Sequence, residues 1–209
     1  MFSLQKLLGH EDKLFPLLEA SAEEARASVE ALVKLSTDLA RPSRNEEVAY
    51  VRHKGRQITD EITAAVYRSF TTAIERGDIQ ALSYALYRIP KTVEKFTERA
   101  LIAPRYLKDV DFSTQINLLQ SATDIVIQLV QSLRQGQALK QVKELNDELQ
   151  ALEREADRHM MAVYKDLFSG RYEAPRAIFL RDLCELLEKA IDRCRSAGNV
   201  IARIALKNS

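Results

Sequence analysis

Residues 142–167 read "VKELNDELQALEREADRHMMAVYKDL". Val142, Leu145, Leu149, Leu152, Ala156, Met160, Val163 and Leu167 recur every three or four positions, the period of an amphipathic helix rather than of a strand. No Gly or Pro interrupts the run. The spacing predicts a helix from about Ala138 to Phe168. "SGRYEAP" at 169–175 then makes a turn, and a further helix follows from about Arg176 to Leu206. So short a connection makes the two helices antiparallel neighbours.

The same period extends toward the N-terminus. Leu14, Leu18, Ala22, Ala25, Val29, Leu32 and Leu35 predict a first helix from about Glu11 to Leu39. "RPSRN" at 41–45 ends it with Pro42 and offers Ser43 or Asn45 as the next cap. A second helix runs to about Ala73, "ERGD" turns, and Asp78 caps a third that reaches about Ala103. Pro90 lies inside the third helix and is expected to kink it, because it lacks an N–H and its ring clashes with the preceding turn. Residues 104–112 connect. Ser113 caps a fourth helix to about Arg134, and Gly136 closes it.

The expected fold is therefore all-α. It is one domain over 1–209, an elongated helical bundle of two three-helix repeats, about 1–108 and about 109–209. With 6 Gly and 5 Pro in 209 residues there are too few turn formers for an all-β chain. Helices of this length are about 40 Å long.

Composition also excludes several functions. A formal net charge of +1 gives no global attraction to nucleic acid. The N-terminus lacks a secretory apolar core. "DIVIQLVQSL" at 124–133 is broken by Gln and too short to span a bilayer. The expected location is cytoplasmic, with membrane association only through a partner. Cys184 and Cys194 lie ten apart on one helix, about 15 Å along its axis, too far to bridge. They read as buried thiols. His10, His53 and His159 are isolated, and there is no Gly-rich phosphate loop and no nucleophile paired with a base. The chain reads as no enzyme.

Two carboxylate pairs stand out. Glu153 and Asp157 are one helical turn apart, and Glu188 and Asp192 repeat the step. On a helical wheel Glu153 falls inside the apolar arc and Asp157 at its edge, about 40° further round. Around a turn centred near Glu173 all four carboxylates are level across the hairpin. Hard oxygen donors at one height suit a divalent metal or iron. Salt bridges, such as Asp192 with Arg195, are the competing reading.

"LEREADRHMMAVYKDLF" at 152–168 and "LCELLEKAIDRCRSAGNVIARIALKNS" at 183–209 resemble the second half of the PhoU-like proteins that accompany Pit-type phosphate transporters. "DEITAAVYRSFTTAIERGDIQALSYAL" at 60–86 and "HEDKLFPLLEASAEEA" at 10–25 resemble the first half. The resemblance implies two three-helix repeats, metal bound through E-x-x-x-D steps on paired helices, a Pit-type phosphate transporter as partner, and a homodimer as one possible assembly. Glu153, Asp157, Glu188 and Asp192 match the second-repeat step. In the first repeat the family's acids are replaced by Arg52 and Arg56 in "RHKGR", and by Tyr87, Arg88 and Lys91. Guanidinium and ammonium groups cannot hold a metal. Arg52, Arg56, Arg88 and Lys91 read as an ion-paired face, an anion site or a contact for an acidic partner. The implied function is a regulatory accessory of phosphate transport. A carboxylate-bridged metalloenzyme and a ligand-free scaffold are the alternatives.

Overall fold

The computed structural model describes residues 4–36, 45–69, 72, 74–136 and 139–208, with side chains from 14 to 35 and from 48 onward. Pro42 and Ser43, and the side chains of His10 and Asn45, lie outside them. Among the described residues there are six α-helices and no strand. They are α1 Leu4–Ser36, α2 Asn45–Arg68, α3 Arg76–Ala100, α4 Ser113–Arg134, α5 Leu139–Leu167 and α6 Ala174–Lys207, with a 3-10 turn at Pro104–Leu107.

The apolar periodicity sets what is inside. Every residue of the α1 stripe, from Leu14 to Leu35, is buried. On α5, Val142, Leu149, Ala156, Met160 and Leu167 are buried, while Leu145, Leu152 and Val163 pack against the core half-exposed. Ala156 of α5 and Leu187 and Ile191 of α6 lie in the interior, and Leu152 sits at its rim.

The helix ends differ from expectation in physical detail. α1 begins about two turns before Glu11 and runs through Pro16. α2 stops at Arg68, short of Ala73. Asp78 does not cap α3; it lies within the first turn, 4% exposed, where Arg203 and Lys207 of α6 bind it. Ser113 does not cap α4 either. Its backbone N–H donates to Asp111 Oδ1 at 2.8 Å and its hydroxyl donates to Asp111 Oδ2 at 2.9 Å. These two bonds hold the Asp111 carboxyl below its ordinary range, as expected of an anion at a helix N-terminus. Gly136 closes α4 with φ 59°, a conformation that Cβ-bearing residues avoid. α3 continues through Pro90, whose ring is buried against Gly55 of α2.

α1, α2 and α3 pack on one another, and so do α4, α5 and α6. The two triplets join where α1 meets α4 and α3 meets α6, leaving α2 and α5 on the flanks. α3 and α6 run antiparallel. Asp78 meets Arg203 at one end, and at the other Arg176 donates to the carbonyls of Tyr106 and Lys108 just beyond α3. At Gly198 the α6 backbone lies close against α5, and an added Cβ would stand 2.7 Å from Leu149 Cδ2.

Candidate functional site

The α5–α6 hairpin gathers the four predicted carboxylates. Its register is set by Tyr164, which donates to Glu185 at 2.9 Å, and by Arg195, which donates to Asn146 at 2.9 Å. Between those contacts Glu153 and Asp157 face Glu188 and Asp192. Burial raises the Glu188 carboxyl above its ordinary value, and Asp157, Asp192 and Glu153 push the same way. Glu153, Glu188 and Asp192 are half-buried, but Asp157 is exposed, more so than its place on the wheel suggested. Arg195 does not pair with Asp192, because Asn146 and Asn199 take its Nη1. The cation near Asp192 is Arg193, at 3.4 Å.

The donor chemistry suits a hard cation, and the mutual repulsion is of the kind a cation would relieve. The geometry does not match it. Among the described residues no three His, Cys, Asp or Glu side chains are gathered closely enough to hold a metal ion. As placed, the four carboxylates form a repelling acidic strip rather than a coordination shell.

The predicted basic group divides between two faces. Arg52 on α2 stands 3.0 Å from Glu94 of α3. That pair is coulombic, since the buried Nε has no aligned hydrogen-bond acceptor. Burial outweighs this cation and leaves the Glu94 carboxyl above its ordinary value. Lys54 pairs with the buried Glu24 of α1. Arg56 is exposed. Arg88 and Lys91 line a cleft of about 330 Å³ between α3 and α6.

That cleft contains residues the sequence reading missed: Lys95, Arg99, Lys189 and Arg193. A signal was present. Arg88, Lys91, Lys95 and Arg99 fall three or four apart, on one helix face. What the sequence did not disclose is that α6 lies opposite.

Neither thiol is a nucleophile at neutral pH. Burial pushes Cys184 up to about 12 and Cys194 higher still. Cys184 lies at a second cleft of about 340 Å³ with His159 and Asp166. Its carbonyl accepts from the buried Gln115 at 3.2 Å, which ties α4 to α6.

No family model matches the chain. A relative from Rhizobium meliloti (strain 1021), whose given name is "Putative pit accessory protein", is 24% identical over 217 residues, spanning 98% of this chain and 97% of the relative. Among solved structures, a PhoU-like protein from Shewanella oneidensis MR-1 matches with a TM-score of 0.80 at 15% identity, over 93% of this chain and 100% of that one. The fold is PhoU-like. PhoU from Pseudomonas aeruginosa matches more loosely, with a TM-score of 0.61 at 15% identity over 99% of this chain and 98% of that one. The PhoU-like resemblance read from four stretches of sequence thus extends over the whole chain. A fold shared at so low an identity is specified by the pattern of apolar positions rather than by the residues themselves.

Proposed function

We propose that this chain is a non-enzymatic accessory protein of inorganic phosphate transport, acting on a Pit-type transporter at the cytosolic face of the membrane. The observation that carries the reading is the end-to-end match to the Rhizobium meliloti protein named as a Pit accessory protein. A structural neighbour described as a PhoU-like phosphate regulatory protein, with a TM-score of 0.79, supports it. No helix among the described residues is long and apolar enough to cross a membrane. No step of this reading passes through a metal.

On α2, Arg56 is the free-standing candidate for contact with an acidic surface of that partner, because Arg52 is already committed to Glu94. The test has two arms. Immobilised protein should retain the transporter from detergent-solubilised membranes, less so as salt rises and less so with Arg56→Glu, because exposed charges are screened over about 8 Å at physiological ionic strength. Cells lacking the chain should show altered phosphate uptake through that transporter. Unchanged uptake together with no retention at low salt would overturn the reading.

A further inference from the structure

The cleft between α3 and α6 concentrates positive charge in a protein that has almost none overall. Arg88, Lys91, Lys95 and Arg99 enter from α3, and Lys189 and Arg193, one turn apart, from α6. The chain as a whole carries a formal net charge of +1, so the accumulation is local. Two acids, Asp182 and Glu185, also border the cleft, but both are engaged elsewhere. Arg181 lies 2.8 Å from Asp182 and 3.4 Å from Glu185, and the Tyr164 hydroxyl donates to Glu185. Arg88 and Lys91 lie over the rings of Tyr84 and Tyr87. Arg193 has Asp192 at 3.4 Å. The side chains of Lys95, Arg99 and Lys189 have no ion pair or hydrogen bond among the described residues.

We propose that this cleft binds a small anion carrying two or more phosphoryl groups. Like charges facing one another across a partly enclosed space repel, and the repulsion grows as water is excluded. A polyvalent anion reverses its sign. Arg88, Arg99 and Arg193 supply planar forks that match phosphoryl oxygens, and the three lysines supply mobile point charges. A volume of about 330 Å³ is at the lower end of the range for small-molecule sites. A single orthophosphate would reach only part of a group of six cations spread over three turns of α3. A chain of phosphoryl groups can span it, and both free polyphosphate and a nucleoside polyphosphate present that chemistry. The site is independent of the transport reading, since it needs no partner and no membrane.

Titration calorimetry on the full chain at low salt tests it, using sodium tripolyphosphate, ATP, orthophosphate and sulfate in turn. Tripolyphosphate or ATP should bind saturably at one site, more tightly than orthophosphate or sulfate. The exposed pair Lys95→Glu with Lys189→Glu should weaken binding by at least about tenfold. Lys140→Glu with Lys143→Glu, an equal charge change on α5 away from the cleft, should change it by no more than about twofold. Tighter binding of ATP assigns the site to nucleotides, and tighter binding of tripolyphosphate assigns it to phosphate chains. If the glutamate pair disturbs the helical spectrum, Lys95→Gln with Lys189→Gln replaces it. The proposal fails if the wild type shows no saturable binding of either probe, or if the α5 control weakens binding as much as the cleft pair.

Discussion

Glu188 stands half-buried among four other carboxylates, Asp157, Asp192, Glu153 and Glu185, where burial and like charge act in the same direction. Its proton is held to higher pH in the folded chain than in the unfolded one. The stability it contributes is therefore fully present below its ordinary value of 4.5 and is lost as pH rises through the raised one. Glu188→Gln removes the charge and should melt above the wild type at pH 7, with the gap closing as pH falls toward 4.5. The repulsion with Asp192, one turn on, accounts for about 0.2–0.5 kcal/mol of that gain. Melting curves across this pH range with and without chelator provide the check. A variant that melts lower than a chelator-sensitive wild type would show that a cation joins the strip after all. Two glycines make opposite predictions. A Cβ at Gly55 would meet Pro90 Cγ at 3.7 Å, an ordinary contact, so Gly55→Ala should stabilise by about 1 kcal/mol through helix propensity. A Cβ at Gly198 would meet Leu149 Cδ2 at 2.7 Å and Asn146 Oδ1 at 2.8 Å. Leu149 is fully buried and Arg195 holds Asn146, so neither yields easily. Overpacking of about 1–3 kcal/mol then outweighs the propensity gain, and Gly198→Ala should lose about 1 kcal/mol in urea titration. Equal shifts at both sites would contradict this account.

Among the helices, α3 and α6 make the contact on which both the bundle and the cleft depend. At one end Asp78, 4% exposed, receives Lys207 at 2.8 Å and Arg203 at 3.2 Å. At the other end Arg176 donates to two carbonyls beyond α3. Charge-assisted bonds of this kind contribute about 1.5–3 kcal/mol, and Asp78→Ala should cost an amount in that range. Both cations are about half exposed, which favours the lower end. A chemical denaturation midpoint unchanged by Asp78→Ala would remove this link from the account. Residue 78 also shows what sequence reading can miss at this scale. An Asp before an apolar run looks like a cap, and only the approach of α6 reveals it as an inter-helix acceptor. Arg52 is similar. Its pairing with Glu94 needs the register of α2 on α3, which no local rule supplies.

For the whole molecule, one continuous core runs through all six helices. Phe96 of α3 meets Phe112, just before α4, edge to face at 5.4 Å, so the two helix triplets share aromatic packing at their junction. Separating them would expose the α1–α4 and α3–α6 faces. Fragments 1–108 and 109–209 should each lose cooperative unfolding, and mixing them should restore helical signal and a steep transition. Circular dichroism against urea measures this. A sharp independent transition in either fragment would mean that each repeat is a folding unit by itself.

The number, order and approximate length of the helices were legible in the sequence, because the 3.6-residue period is imposed within each element by its own backbone. So was the α5–α6 register, since a short turn leaves two helices no other pairing, and it placed four carboxylates at one height. What local reasoning left open was whether their oxygens converge, which depends on side-chain placement at half-buried positions. The tertiary structure alone decided that α3 lies against α6 across the boundary between the two helix triplets. That long-range pairing joined Arg88 and Lys91 to Lys189 and Arg193. Nothing in the spacing along the chain links positions about a hundred residues apart. The link comes from burying two apolar stripes against each other, and the charges beside those stripes are carried into one cleft as a consequence.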